Sequence, residues 1–253
     1  MYKKILMIVF LSVAVYAFPL RVLGFEQDME ALLKVFKCIL VILIVLFLYR
    51  KDIKKDPIQE SHWNKHTFYK IAPSLILLMV YIAVSYNGLF RHKNDLVFVA
   101  LTIIATFVAA TAEEVIFRLY LFNLFVSEGY KNYRAIIFSS ILFSLMHIVN
   151  IFRYDDIWAI VNQLILAFFM GILLCSLYTI SRSILLVSVY HFIVNIPLAM
   201  KRIAKVPVEN NAGLEHLSLG ENIFSVIMYT FIFSPLIIVA LYYLNMYKKE
   251  ETI

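Results

Sequence analysis

The stretch Thr111 to Phe122, TAEEVIFRLYLF, sets two adjacent carboxylates and an arginine inside an otherwise apolar run that reads as helix. A charged side chain within a membrane span costs at least ~2.5–3.5 kcal/mol on insertion scales, so three within six residues mark a buried working site, not a lipid-facing surface. Whether the surroundings are membrane is decided by the rest of the chain.

Of the 253 residues, 62% are hydrophobic and 16% are charged, and the mean hydropathy is +0.84. Soluble domains carry roughly 45–50% apolar and about 25% charged residues. The excess here is gathered into runs long enough to cross a hydrocarbon core of ~30 Å. The expected fold class is all-α, a polytopic transmembrane helical bundle forming one integral membrane domain over residues 1–253. Eight spans are expected, at about Ile5–Leu23, Ala31–Tyr49, Tyr69–Tyr86, Leu96–Phe125, Ala135–Phe152, Ile157–Ile180, Ile184–Met200 and Ile223–Leu244. The fourth is longer than a simple crossing needs and the seventh is short.

The net charge of +6 does not point to nucleic acid, because the basic residues lie in short connections between apolar runs, not along one stripe. They read as topology signals. Arg50, Lys51, Lys54, Lys55, Lys65 and Lys70 flank the second connection, whereas Glu26, Asp28 and Glu30 occupy the first with only Arg21. This places the second connection and both termini in the cytoplasm, with Lys201, Arg202 and Lys205 against the trend. Lys3 and Lys4 before Ile5–Phe18 resemble a signal peptide, but the apolar run continues past Pro19 and reads as an uncleaved first span. Cys38 and Cys175 each sit inside an apolar run, so no disulfide scaffold or zinc-knuckle spacing exists.

Glu114 and Arg118 are four apart, share a helix face and read as a structural ion pair, while Glu113 points about 100° away without a local partner. A carboxylate without a partner in a water-poor pocket is a candidate general base. Two later spans add polar groups: His147 closes FSLMH from Phe143, and HFIVN presents His191 and Asn195 on one face as two donors or two ligands. His62, His66, His92 and His216 fall in polar connections and read as solvated. Asn162 and Gln163 read as interhelical hydrogen-bonding groups. Ser139, Ser140 and Ser144 read as small packing residues, since no G-x-S-x-G elbow surrounds any serine. The zinc-protease pattern H-E-x-x-H is absent too.

EEVIFR as E-E-x-x-x-R, Phe143 to His147 as F-x-x-x-H, and His191 to Asn195 as H-x-x-x-N occur in that order in successive spans. Together they resemble the CPBP family of intramembrane proteases, which is similar to the CAAX prenyl endopeptidase Rce1 and to bacterial Abi proteins linked with bacteriocin self-immunity and peptide processing. The resemblance covers about Leu96 to Met200, with Leu119 standing where many members have glycine. It implies an endopeptidase in which Glu113 and His147 orient and deprotonate the attacking water, His191 and Asn195 form the oxyanion hole, and Glu114 with Arg118 braces the base. It implies as partners the lipid bilayer and a membrane peptide or protein, while the chain length and lack of organelle signals lead to the expectation of a multi-pass protein of a bacterial cell membrane. A metal-free mechanism is expected, although Glu113, His147 and His191 would offer zinc a mixed nitrogen and oxygen set. The residues alone leave open a non-catalytic immunity or scaffold protein, and a transporter, for which no paired repeats are found.

Overall fold

A computed structural model describes residues 4–5, 7–8, 27–53, 65–86, 96–152, 156–203 and 219–250. Among these every regular element is helical: α1 Gln27–Asp52, α2 Lys65–Ser85, α3 Leu96–Glu114, a π-helical segment Val115–Phe122, α4 Asn123–Ser127, α5 Asn132–Met146, a 3-10 segment His147–Phe152, α6 Ile157–Ser181, α7 Ile184–Ile203, α8 Leu219–Ile232 and α9 Ser234–Glu250. The all-α polytopic bundle therefore stands. Five helical rods are long and apolar enough to span a bilayer, a bent pair makes a sixth, and Ile184–Met200 is a shorter apolar helix. The expected first span, Lys54, Lys55, Lys205 and Glu26 lie outside the described residues, apart from a few positions near Lys4, while Asp28 and Glu30 stand in the first turn of α1.

The fourth span is the axis of the bundle. α3, the π-helical segment and α4 run as one rod from Leu96 to Ser127, 32 residues long, packed against α1, α5 and α7. The sequence reads as α-helix throughout, but Val115–Phe122 winds with i→i+5 bonds. Side chains compensate within that stretch. The Ser139 hydroxyl donates to the Phe117 carbonyl at 2.7 Å, and the Asn123 amide donates to that of Leu119 at 2.8 Å. Ile116, Phe117, Tyr120, Leu121 and Phe122 are buried around this segment, so it lies in the middle of the hydrophobic core.

Small residues let the neighbouring helices approach. A β-carbon on Gly171 of α6 would come within 3.0 Å of Ser140 Cβ on α5, the close approach that small-residue seams give in membranes. Ser144 donates to Leu164 O at 2.7 Å, and Asn150 donates to Gln163 Oε1 at 2.9 Å, which is the interhelical use expected of Gln163. α6 starts where Asp156 Oδ1 accepts the N–H groups of Trp158 and Ala159. It stops at Arg182 in the left-handed region, φ 56°, which turns the chain into α7.

The eighth span is not one straight helix. α8 and α9 meet at a 62° bend, because Pro235 has no N–H for the carbonyl of Phe231 and the ladder breaks there. Reading Ile223 to Leu244 as a continuous crossing passes over this proline.

The helix ends match up in level. Lys4 pairs with Asp52 at 2.8 Å, Tyr120 donates to Asp52 at 2.6 Å, and Tyr243 donates to Lys70 O at 2.7 Å. The carboxyl-terminal end of α1 and the far end of the central rod thus share one side, and the amino-terminal end of α2 meets the carboxyl-terminal half of α9.

Candidate active site

Glu113 and Glu114 occupy the last two positions of α3, Arg118 follows in the π-helical segment, and all three are buried: Glu114 is 0% and Arg118 1% exposed, Glu113 8%. Arg118 Nε lies 3.0 Å from Glu114 Oε2, the ion pair expected from their spacing. The interaction is a charge pair without a well-directed hydrogen bond, since neither atom has a hydrogen-bond partner among the described residues. Two further neighbours hold the guanidinium. Its Nη2 reaches the Gly171 carbonyl at 3.5 Å, and its Cζ sits 4.4 Å from the centre of the Phe143 ring, a cation–π distance.

Phe143 is the hub of the aromatic packing. Its ring meets those of Phe117 at 5.2 Å, His147 at 5.1 Å and His191 at 5.8 Å, all edge-on. The first position of F-x-x-x-H therefore links the arginine to both histidines.

His191 enters from α7 and lies between the two carboxylates. Its Nδ1 is 2.8 Å from Glu114 Oε1 and its Nε2 is 3.7 Å from Glu113 Oε2. The neighbour of Glu113 thus comes from another helix, not from its own. Adjacent residues on α3 diverge, but the two nitrogens of one ring bridge that divergence. Because a carboxylate accepts, Nδ1 carries the hydrogen and Nε2 faces Glu113. Glu114 serves both Arg118 and His191, a role no spacing within one helix could reveal.

His147 stands where α5 tightens into the 3-10 segment. Its Nδ1 is 2.9 Å from the Phe143 carbonyl, so that nitrogen donates and Nε2 keeps its lone pair. It is half-buried, as is Asn195, which lies one turn beyond His191 on α7. Phe107 of α3 packs edge-on against Phe192 at 5.4 Å and fixes the two helices beside the polar cluster. The structure thus joins Glu113, Glu114, Arg118, Phe143 and His191 directly and His147 through Phe143. Asn195 shares the helix of His191 but makes no hydrogen bond with them among the described residues.

The zinc set Glu113, His147 and His191 does not assemble in this geometry: among the described residues no three His, Cys, Asp or Glu side chains converge as ligands.

Comparison with known proteins places this cluster in a family context. Residues 95–197 match the family described as type II CAAX prenyl endopeptidase Rce1-like, a stretch that contains Glu113, Glu114, Arg118, Phe143, His147, His191 and Asn195. No curated protein matches the chain.

Proposed function

We propose, from the premise that residues 95–197 are an Rce1-like domain of a protease family, that the chain is an intramembrane endopeptidase acting on a membrane-associated peptide or protein. The observation that carries this reading is His191 held between Glu113 and Glu114, with Nδ1 fixed and Nε2 turned toward Glu113.

Peptide hydrolysis needs a base for water and preorganised donors for the tetrahedral oxyanion. In the proposed mechanism Glu113 takes a proton from a water that also donates to the bare Nε2 of His147. The hydroxide attacks the scissile carbonyl, and the same Glu113 passes the proton to the leaving amine. The developing oxyanion accepts from the Asn195 amide and from His191 Nε2. His191 can donate there only as an imidazolium, with both nitrogens protonated, and it then lies between two carboxylates that balance its charge. Glu114 and Arg118 fix the ring and remain outside the chemistry. The membrane would be that of a bacterial cell, with both termini cytoplasmic and either peptide processing or bacteriocin immunity as the use.

The test is cleavage of a lipid-anchored fluorogenic peptide by the purified full chain in liposomes. The native chain should cleave it, and Glu113→Gln, His147→Ala and His191→Ala should each remove at least ~100-fold of the rate. Folded variants that all cleave normally would overturn the mechanism. A chain that binds a partner equally well with Glu113→Gln and cleaves nothing would favour the non-catalytic scaffold.

A further inference from the structure

Pro197 lies inside α7, two residues past Asn195. Having no N–H, it leaves the carbonyl of Ile193 without its in-helix donor, and its ring crowds that same oxygen. In hydrocarbon an orphan carbonyl has no water to turn to. The structure supplies the missing donor from another helix. The Tyr86 hydroxyl, one residue past α2, donates to Ile193 O at 2.7 Å, and Tyr81 of α2 donates to the next carbonyl, Val194 O, also at 2.7 Å.

Both carbonyls belong to the single turn between His191 and Asn195. On the other side of that turn Tyr190 donates to Ser74 O at 3.1 Å. We infer that Tyr81 and Tyr86 are positioning residues: they clamp the proline-broken turn of α7 and thereby set the direction in which His191 and Asn195 present their donors. Without the clamp, the turn could relax toward an orientation that satisfies Ile193 O and misaims the two side chains. The inference rests on the oxyanion role proposed above for those two residues, but the clamp itself is a statement about α7.

A second proline provides an internal control. Pro73 interrupts α2, and beside it Tyr243 of α9 donates to Lys70 O at 2.7 Å. The carbonyl that Pro73 orphans is Tyr69 O, so Tyr243 on Lys70 O is the counterpart of Tyr81 on Val194 O, one residue after the orphaned carbonyl, and the turn it secures carries no proposed reacting group.

The full chain in liposomes, with the lipid-anchored fluorogenic peptide, separates these roles. Tyr86→Phe, and more so Tyr81→Phe with Tyr86→Phe, should lower kcat roughly tenfold or more, with KM changing less than about twofold. Pro197→Ala returns an N–H to the Ile193 carbonyl and should restore kcat in the Tyr86→Phe background. Tyr243→Phe should leave kcat within about twofold of native. A double Tyr→Phe variant with native kcat, or a loss that Pro197→Ala fails to recover, would overturn the inference. Amide exchange of residues 191–200, read on the same samples, is independent of turnover. It should accelerate in the double variant and recover with Pro197→Ala, and unchanged exchange would remove the clamp. Exchange that behaves as expected in a native chain that cleaves nothing would uphold the clamp and sink the protease reading instead.

Discussion

Glu114 Oε1 lies 2.8 Å from His191 Nδ1 while its other oxygen lies 3.0 Å from Arg118. One buried carboxylate thus carries the charge of a guanidinium on its own helix and orients an imidazole on another. The consequence is a division of labour between neighbours in sequence. Glu114 is used up by structure, and Glu113, 3.7 Å from His191 Nε2, is the carboxylate to which the proposed mechanism gives the water.

The two carboxylates should therefore respond differently to the same substitution. Glu113→Gln should remove ~100- to 10,000-fold of the proteolytic rate and leave thermal unfolding nearly unchanged, because His191 Nε2, 3.7 Å away, is beyond hydrogen-bond reach of its carboxylate. Glu114→Gln should lower both, since it strips the charge that Arg118 and His191 share. Unfolding curves and initial rates on the two purified variants check this, and equal thermal losses would contradict the division.

Arg118 is held by charge, by the Gly171 carbonyl and by the Phe143 ring. Arg118→Ala should destabilise by about 3–5 kcal/mol, the range for leaving a buried charge without its partner. Arg118→Lys should recover only part of this. An ammonium keeps the charge but lacks the planar fork that reaches Gly171 while stacking on Phe143. Thermal or denaturant unfolding in detergent measures both steps.

How far the sequence could be read follows from which relations are local. The Glu114–Arg118 pair is an i,i+4 relation, so spacing alone predicted it. The His191–Glu114 bond spans 77 positions, and only the packing of α7 on α3 creates it. The roles proposed for His147 and Asn195 rest on the family resemblance, not on spacing or geometry. The π-helical winding at Val115–Phe122 was hidden because its apolar residues fit an α-helical pattern equally well. Two prolines carry further local signals. Pro235 marked the bend between α8 and α9, and Pro197 marked an orphan carbonyl next to His191 and Asn195.

Gly171 is the point where α6 comes closest to α5. In Gly171→Ala the new methyl would stand 3.0 Å from the Ser140 side chain and 3.1 Å from its backbone. Part of that clash is with backbone, so the helices must separate, at a cost of about 1–3 kcal/mol typical of overpacking. Because the Gly171 carbonyl also receives Arg118, activity should fall along with stability. Ser140→Gly in the same chain should recover some but not all of the unfolding temperature, as it removes the side-chain clash and leaves the backbone one in place.

Metal dependence gives the sharpest check on the chemistry. His191 Nδ1 and His147 Nδ1 both have fixed partners, Glu114 Oε1 and the Phe143 carbonyl, which is how zinc-binding histidines are commonly oriented. The side chains nevertheless do not converge as three ligands among the described residues. If Glu113 and His147 activate water without a metal, prolonged dialysis against a strong chelator should leave the rate within about twofold of its starting value, and added zinc should not raise it. The same treatment on Glu113→Asp tests whether the carboxylate acts as a base. Shortening it moves the oxygens away from the water, so its rate should fall by roughly 100-fold whether or not chelator is present. Activity that disappears on chelation and returns with zinc would replace the glutamate mechanism by a metal-bound water and would assign Glu113, His147 and His191 to the metal.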